Sequence, residues 1–227
     1  MFRSNATLVA WSGGKDSALA LFKIKKLNKL APACLLTTVT KDYARISMHG
    51  VREKLLDAQA RSLGLFVDKV YIPKSCTNRD YESLMSKTLA KHRENGIKKV
   101  VFGDIFLEEL KAYRVRNLKK LAMGAVFPLW KADTAKLARS FVRLGFKAVI
   151  TCVDTKILNA SFAGRRYDLD FLNDLPAGVD PCGENGEFHS FVYDGPIFKA
   201  PIKFKTGKRI LKHRRFCFCD LVPAGAA

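Results

Sequence analysis

Apolar residues in this chain fall in short unbroken runs, separated by longer stretches in which they recur every three or four positions. The runs at 7–11, 33–38, 66–72, 99–103 and 148–153 are continuous and not alternating, as in parallel strands buried on both faces. Between them, 17–27, 51–63, 81–95, 107–123 and 134–144 carry helical spacing. Gly64, Gly96, Gly124 and Gly145 stand where these helices should end. Alternating strand and helix over the first two thirds of the chain predicts an α/β fold on a doubly wound parallel sheet. Past residue 154 the texture changes. Prolines 176, 181, 196 and 201 and glycines 178, 183, 186, 195 and 207 break up short strand-like segments such as 188–193 and 202–206. The division expected is a first domain at 1–154 and a smaller β-containing C-terminal region at 155–227. No internal repeat or low-complexity segment interrupts either part.

Ligands on such sheets lie beyond the carboxyl ends of the strands. There the first strand runs into Ser12-Gly13-Gly14-Lys15-Asp16-Ser17, and a helix follows. Backbone N–H groups at a helix N-terminus point at an anion, and two glycines let the turn approach it closely. Ser12 and Ser17 add hydroxyls, and Lys15 adds a positive charge. The spacing excludes the ATPase P-loop and the dinucleotide fingerprint. It resembles the SGGxDS loop of the N-type ATP pyrophosphatases, which cleave ATP between the α and β phosphates. That makes residues 12–17 the expected ATP site and gives the first domain its nucleotide-binding role. Polar residues also close the second and fourth strands, at Thr37-Thr38 and Gly103-Asp104, and Ser47-Met48-His49-Gly50 leads into the second helix. Thr37, His49 and Gly103 therefore join the nucleotide set. His49 either donates to a phosphate or caps the helix. Asp104 either holds Mg²⁺, orients an acceptor, or shapes a turn.

The second dense segment is Asp180-Pro181-Cys182-Gly183-Glu184-Asn185-Gly186-Glu187-Phe188-His189. Glu184, Glu187 and His189 are candidate acid/base or ammonium-holding groups, and Asn185 offers a two-pronged amide. The alternative is that Glu187 and His189 form a surface ion pair on one face of a strand. Cys182 could be a nucleophile, although no base stands beside it.

Taken together, the 12–17 loop and the GENGEFH segment at 183–189 resemble the diphthine–ammonia ligase family. Val101-Phe102-Gly103-Asp104-Ile105, Phe127-Pro128-Leu129-Trp130 and Gly195-Pro196 extend the likeness, which covers about residues 5–204. The resemblance implies an amide-forming ligase that adenylates an acceptor carboxylate and passes ammonia to it, releasing AMP and pyrophosphate. Its implied substrates are ATP and ammonium, with Mg²⁺ expected and a translation elongation factor as acceptor. It implies catalytic roles for Lys15, Asp104, Glu184, Glu187 and His189. Asp104, Arg114, Glu184, Asn185 and Glu187 would bind the substrate. Eukaryotic members are expected to carry extra C-terminal domains, so this chain resembles the short single-unit members. Some of those are bacterial, where diphthamide is not made, and this leaves the acceptor open.

Composition narrows the picture further. A chain of 227 residues, 48% hydrophobic and with sixteen phenylalanines, can bury a sizeable core. No apolar run approaches the roughly 20 residues of a membrane span, and residues 1–5 lack the apolar stretch of a signal peptide. Six cysteines without repeated spacing read as reduced thiols in a cytoplasmic protein, with no C-x-x-C to signal zinc or iron–sulfur. Cys217 and Cys219 should point to one face of a strand, into a core. The net charge of +19 is extreme, with basic clusters at 23–29, 114–120 and 203–215. It leaves nucleic acid open as a partner and keeps alive a tRNA-modifying ATP pyrophosphatase. A non-catalytic adenine-nucleotide-binding module is the third reading; the second polar motif speaks against it.

Overall fold

The computed structural model describes residues 5–27 and 30–224. Residues 1–4 and Lys29 of the first basic cluster lie outside them. The strands are β1 (Ala6–Ala10), β2 (Ala31–Thr40), β3 (Arg45–Ile46), β4 (Phe66–Ile72), β5 (Lys99–Val101), β6 (Gly124–Val126), β7 (Lys147–Asp154), β8 (Phe188–Asp194), β9 (Phe204–Lys212) and β10 (Phe216–Pro223). The helices are α1 (Lys15–Leu27), α2 (Glu53–Leu63), α3 (Asn78–Glu94), α4 (Glu108–Lys120), α5 (Thr134–Arg143) and α6 (Leu169–Asn173).

Five strands form a parallel sheet in the order β4-β2-β1-β5-β6. The short β3 joins antiparallel at Val39 and Thr40, where β1 has already ended. The chain moves outward from β1 to β2 and β4, then returns to β1's other side for β5 and β6. The crevice at this reversal, between the carboxyl ends of β1 and β5, is where doubly wound sheets bind ligands. Helices cover both faces. One core joins Val9, Leu21 and Leu56 to Phe141, Phe191 and Leu221, and the other gathers Leu8, Leu36, Leu89, Val100 and Phe102.

Helix ends follow local chemistry. Gly64 closes α2 at φ 66°, and Thr77 and Asp80 form a reciprocal cap at the start of α3. Gly124 is different from expectation. It opens β6, donating to the Lys98 carbonyl at 2.8 Å, and Ala122 is the left-handed residue after α4, at φ 50°.

The run at 148–153 is also a correction. It forms most of β7, which belongs not to the parallel sheet but to an antiparallel sheet ordered β8-β7-β10-β9. A strand buried on both faces reads as continuous apolar sequence whichever direction its neighbours run, so the pattern alone could not choose. The division expected at 154 thus falls at the end of a strand of the second sheet. The segment expected at 202–206 is the start of the longer β9, and the three-residue β6 was too short to register as a period. Cys217 and Cys219 do share a face and are buried, 4% and 6% exposed. Among the described residues no helix is long and apolar enough to cross a membrane.

Candidate active site

The loop between β1 and α1 is pressed from three sides. Gly13 adopts φ 78°, and a Cβ there would lie 2.8 Å from Gln59 Oε1. A Cβ on Gly14 would come within 3.0 Å of the His49 ring and 3.1 Å of the Ser190 carbonyl. β8 seats the loop from the second sheet: Val192 N–H donates to the Gly13 carbonyl at 2.9 Å, and Lys15 N–H to Ser190 Oγ at 3.2 Å. Ser17 Oγ donates to the Gly14 carbonyl at 2.9 Å and stands 3.3 Å from Ser12 Oγ, so both hydroxyls gather at the mouth of α1. Of the N–H groups in the first turn of α1, which have no partner within the helix, that of Lys15 is taken by Ser190 Oγ, while Asp16 and Ser17 line a cleft of about 410 Å³.

Ser12, Lys15, Asp16, Ser17, Thr37, His49, Gly103, Asp104, Arg114, Glu184 and His189 all line that cleft. The two polar motifs, some 170 residues apart in sequence, therefore face one space. Gly13, Gly14, Asn185 and Glu187 stand behind its walls. Thr37 Oγ1 donates to the Trp11 carbonyl at 2.7 Å, steadying the end of β1. Gly103 is required for close approach, since a Cβ would meet Asp16 C at 2.8 Å and Ser17 N at 2.9 Å.

Lys15 is 3% exposed. Its ammonium donates to Asp16 Oδ2 at 2.8 Å and to the Cys182 carbonyl, and lies 5.3 Å from the centre of the Phe188 ring. Burial works against this charge, but Asp16, Cys182 and Glu184 together outweigh it and the pKa is raised. Lys15 thus clasps the second motif to the loop. Asp104 and Arg114 form a fork, Nε to Oδ2 at 2.6 Å and Nη2 to Oδ1 at 3.1 Å, with the guanidinium 4.5 Å from the centre of the Phe102 ring. Arg114 engages one lone pair on each carboxylate oxygen, so a metal at Asp104 would share the carboxylate with the guanidinium. Among the described residues no group of three or more His, Cys, Asp or Glu side chains could hold a metal by itself.

Glu184 reaches from the second motif to the loop after β5, accepting from Ile105 N–H at 2.7 Å. Burial pushes its pKa up to about 7; the Ile105 N–H opposes the shift, and Asp16 and Asp104 add to it. Glu187 turns inward and is 3% exposed. Its Oε1 accepts from Asp180 N–H at 3.2 Å and Asn185 Nδ2 at 2.9 Å, while Oε2 is buried with no partner among the described residues. It makes no ion pair with His189, and the surface-pair alternative falls. His189 instead packs on His49, ring centres 4.5 Å apart, and His49 Nδ1 lies 3.2 Å from the Ser190 carbonyl. Burial and the Lys15 charge lower His189 to about 4, and burial with His189 lowers His49 well below its usual value. Rings whose protonated form is disfavoured in this way are weak bases, better suited to hydrogen bonding than to proton abstraction. Cys182 is no nucleophile: it is 1% exposed and burial pushes its thiol well above the ordinary range.

Gln59 escaped the sequence reading. It is fully buried, accepts from Trp11 Nε1 at 2.9 Å, and donates to the Gly13 and Val192 carbonyls at 2.9 and 2.7 Å. One amide ties the loop, α2 and β8 together. The signal was a glutamine on the apolar stripe Leu55, Leu56, Ala60, Leu63.

The family model described as diphthamide synthase N-terminal domain matches residues 5–123, and diphthamide synthase C-terminal domain matches 133–222. The diphthine–ammonia ligase of Schizosaccharomyces pombe is 30% identical over 92% of this chain, which spans only 38% of that protein. The Danio rerio and Homo sapiens proteins of that name are 29% and 26% identical, each over 84% of this chain and 83% and 79% of their own length. The yeast protein is thus much longer than the part matched, while these two are matched over most of their length. A tRNA methyltransferase subunit structure from Methanocaldococcus jannaschii matches 69% of this chain and 83% of its own, at 17% identity and TM-score 0.41, too loosely to bear on function. With both family models matched in order along most of its length, and the 12–17 and 183–189 motifs facing one cleft, the chain belongs to the diphthamide synthase family.

Proposed function

We propose that this chain is an ATP-dependent, amide-forming ligase of the diphthine–ammonia ligase type, acting in the cytoplasm on a carboxylate of a translation elongation factor. The observation carrying this reading is the Glu184–Ile105 bridge, which sets the second motif across the cleft from the anion-binding mouth of α1. An unactivated carboxylate is a poor electrophile because oxide is a poor leaving group; ATP supplies AMP in its place. The chain's own groups divide the rest. The N–H groups of α1 with Ser12 and Ser17 hold the pyrophosphate end and stabilise charge developing there. Lys15, paired with Asp16 and locked under Cys182, holds the two motifs together. Arg114, aimed by Asp104, orients the acceptor carboxylate. Glu184, poised near neutral pH, accepts a proton from ammonium, while Glu187 and Asn185 shape the turn presenting it. Neutral His49 and His189 serve as hydrogen-bonding partners.

The test is a turnover mixture of protein, ATP, ammonium and elongation factor 2 carrying diphthine. AMP and pyrophosphate in equal amounts, with the acceptor carboxyl converted to amide by intact mass, are expected. ADP and phosphate as products would exclude the scheme. AMP formation with the elongation factor unmodified would keep the chemistry and reject the acceptor.

A further inference from the structure

Between Asp194 and Asp220 the chain has eight lysines and arginines and no carboxylate. Among the described residues only one of them, Arg215, has an acidic partner, Asp154 at 2.6 Å. The rest are concentrated on β9, the edge strand of the second sheet, whose residues from Lys205 to Lys212 are all exposed. At the start of β9 a groove of about 590 Å³ opens against α2, and Lys54, Arg61, Lys199 and Lys203 line it. Its one carboxylate, Asp57, is already paired with Lys69 at 2.6 Å. The groove is thus uncompensated positive charge.

The other end of β9 is aromatic. Lys212 Nζ lies 5.0 Å from the centre of the Tyr43 ring and 5.4 Å from that of Phe218, and Arg215 lies 5.0 Å from that of Phe216. Tyr43 is 46% exposed. The turn beyond holds His213 and Arg214 at φ 53° and 52°. Hairpins give such paired left-handed positions to Asn and Gly, because a Cβ resists them. Basic side chains are kept at this tip against the backbone's preference. Phe218 also supports the loop that carries His49 to the cleft, since a Cβ on Gly50 would meet its ring at 2.7 Å.

We infer that β9, from the Lys54–Lys203 groove to the Tyr43–Phe218 platform, is a binding track for single-stranded nucleic acid. Nine residues at about 3.4 Å each make a track of about 30 Å. Cations gathered along an exposed edge follow a phosphate backbone, and an exposed ring among cations offers a face on which bases stack. An acidic polypeptide would use the charges and leave the aromatic end without purpose. The inference goes beyond the ligase reading and does not depend on it.

The experiment is fluorescence anisotropy of the full chain with fluorescein-labelled U12 RNA, without ATP, from 50 to 300 mM KCl. Affinity should fall with salt by a log–log slope of about −0.7 for each phosphate neutralised. The triple variant K203E/K208E/R209E should flatten the slope by about 2 and bind more than tenfold more weakly. Tyr43→Ala should weaken binding by roughly tenfold with the slope kept. A charge-matched control, K87E/K91E/K98E on and just beyond α3, should bind RNA as the parent does. The parent's thermal unfolding should persist in all three. No binding at 50 mM KCl, equal loss in the α3 control, or polyglutamate competing as well as RNA would each overturn the inference.

Discussion

Replacing Gln59 with leucine keeps its volume and removes the amide that joins the 12–17 loop to the second sheet. Among the described residues, two groups lose the side chain that partners them. Trp11 Nε1–H had Gln59 Oε1 at 2.9 Å, and the Val192 carbonyl had Gln59 Nε2 at 2.7 Å. In a strand the N–H and C=O of one residue point the same way. Val192 N–H reaches the Gly13 carbonyl at 2.9 Å, so its own carbonyl also faces the loop and not β7. The Gly13 carbonyl keeps that bond and is not orphaned. Each buried orphan costs about 1–3 kcal/mol, so Gln59→Leu should lose roughly 2–6 kcal/mol. That is a large share of the 5–15 kcal/mol of an ordinary domain. Gln59→Glu should be worse: it still accepts from Trp11 but sets a buried carboxylate against two carbonyl oxygens. Urea unfolding of the three proteins gives the stabilities, and calorimetric titration of ATP gives the effect on the loop, where weaker binding is expected. A Gln59→Leu loss below about 1 kcal/mol with parental ATP affinity would show that the amide positions nothing.

Glu184→Gln retains an oxygen for Ile105 N–H and should fold. The Glu184 pKa of about 7 stands above the unfolded carboxyl's 4.5, so the folded state holds the extra proton in between. Its favourable contribution is complete below 4.5 and lost as pH rises through 7; the variant's stability, followed by thermal unfolding from pH 5 to 8, should fall less than the parent's. Turnover of the variant should drop 10²–10⁴-fold and lose the acid limb near pH 7; a retained limb would remove Glu184 from proton transfer. Gly103→Ala forces the end of β5 away from the first turn of α1, because the obstructing atoms are backbone at 2.8 and 2.9 Å. A destabilisation of about 1–3 kcal/mol with weakened ATP binding is expected, and parental values for both would refute the close-approach argument.

Much of this protein is written locally. Continuous apolar runs marked β1, β2, β4 and β5, and period and end signals placed five helices to within a few residues. The strand–SGGKDS–helix order located the cleft, because a glycine turn before a helix binds anions whatever surrounds it. What the pattern could not hold was partnership. The run at 148–153 became an antiparallel strand because its neighbours, β8 and β10, arrive from residues 188–194 and 216–223. Gln59 became the tie of the loop only when α2 was laid between Trp11 and Val192.

The same division runs through the site. Residue types and spacing by themselves determined which groups could do chemistry: the 12–17 loop, Asp104, and the carboxylates and histidine of 183–189. Only the tertiary structure decided what each was free to do. It closed Asp104 on Arg114, turned Glu187 inward, raised Glu184 and lowered His189. Anion binding at a helix start depends on a few consecutive residues. Ionisation and pairing depend on burial and charge contributed from distant segments, and these exist only once the chain has packed.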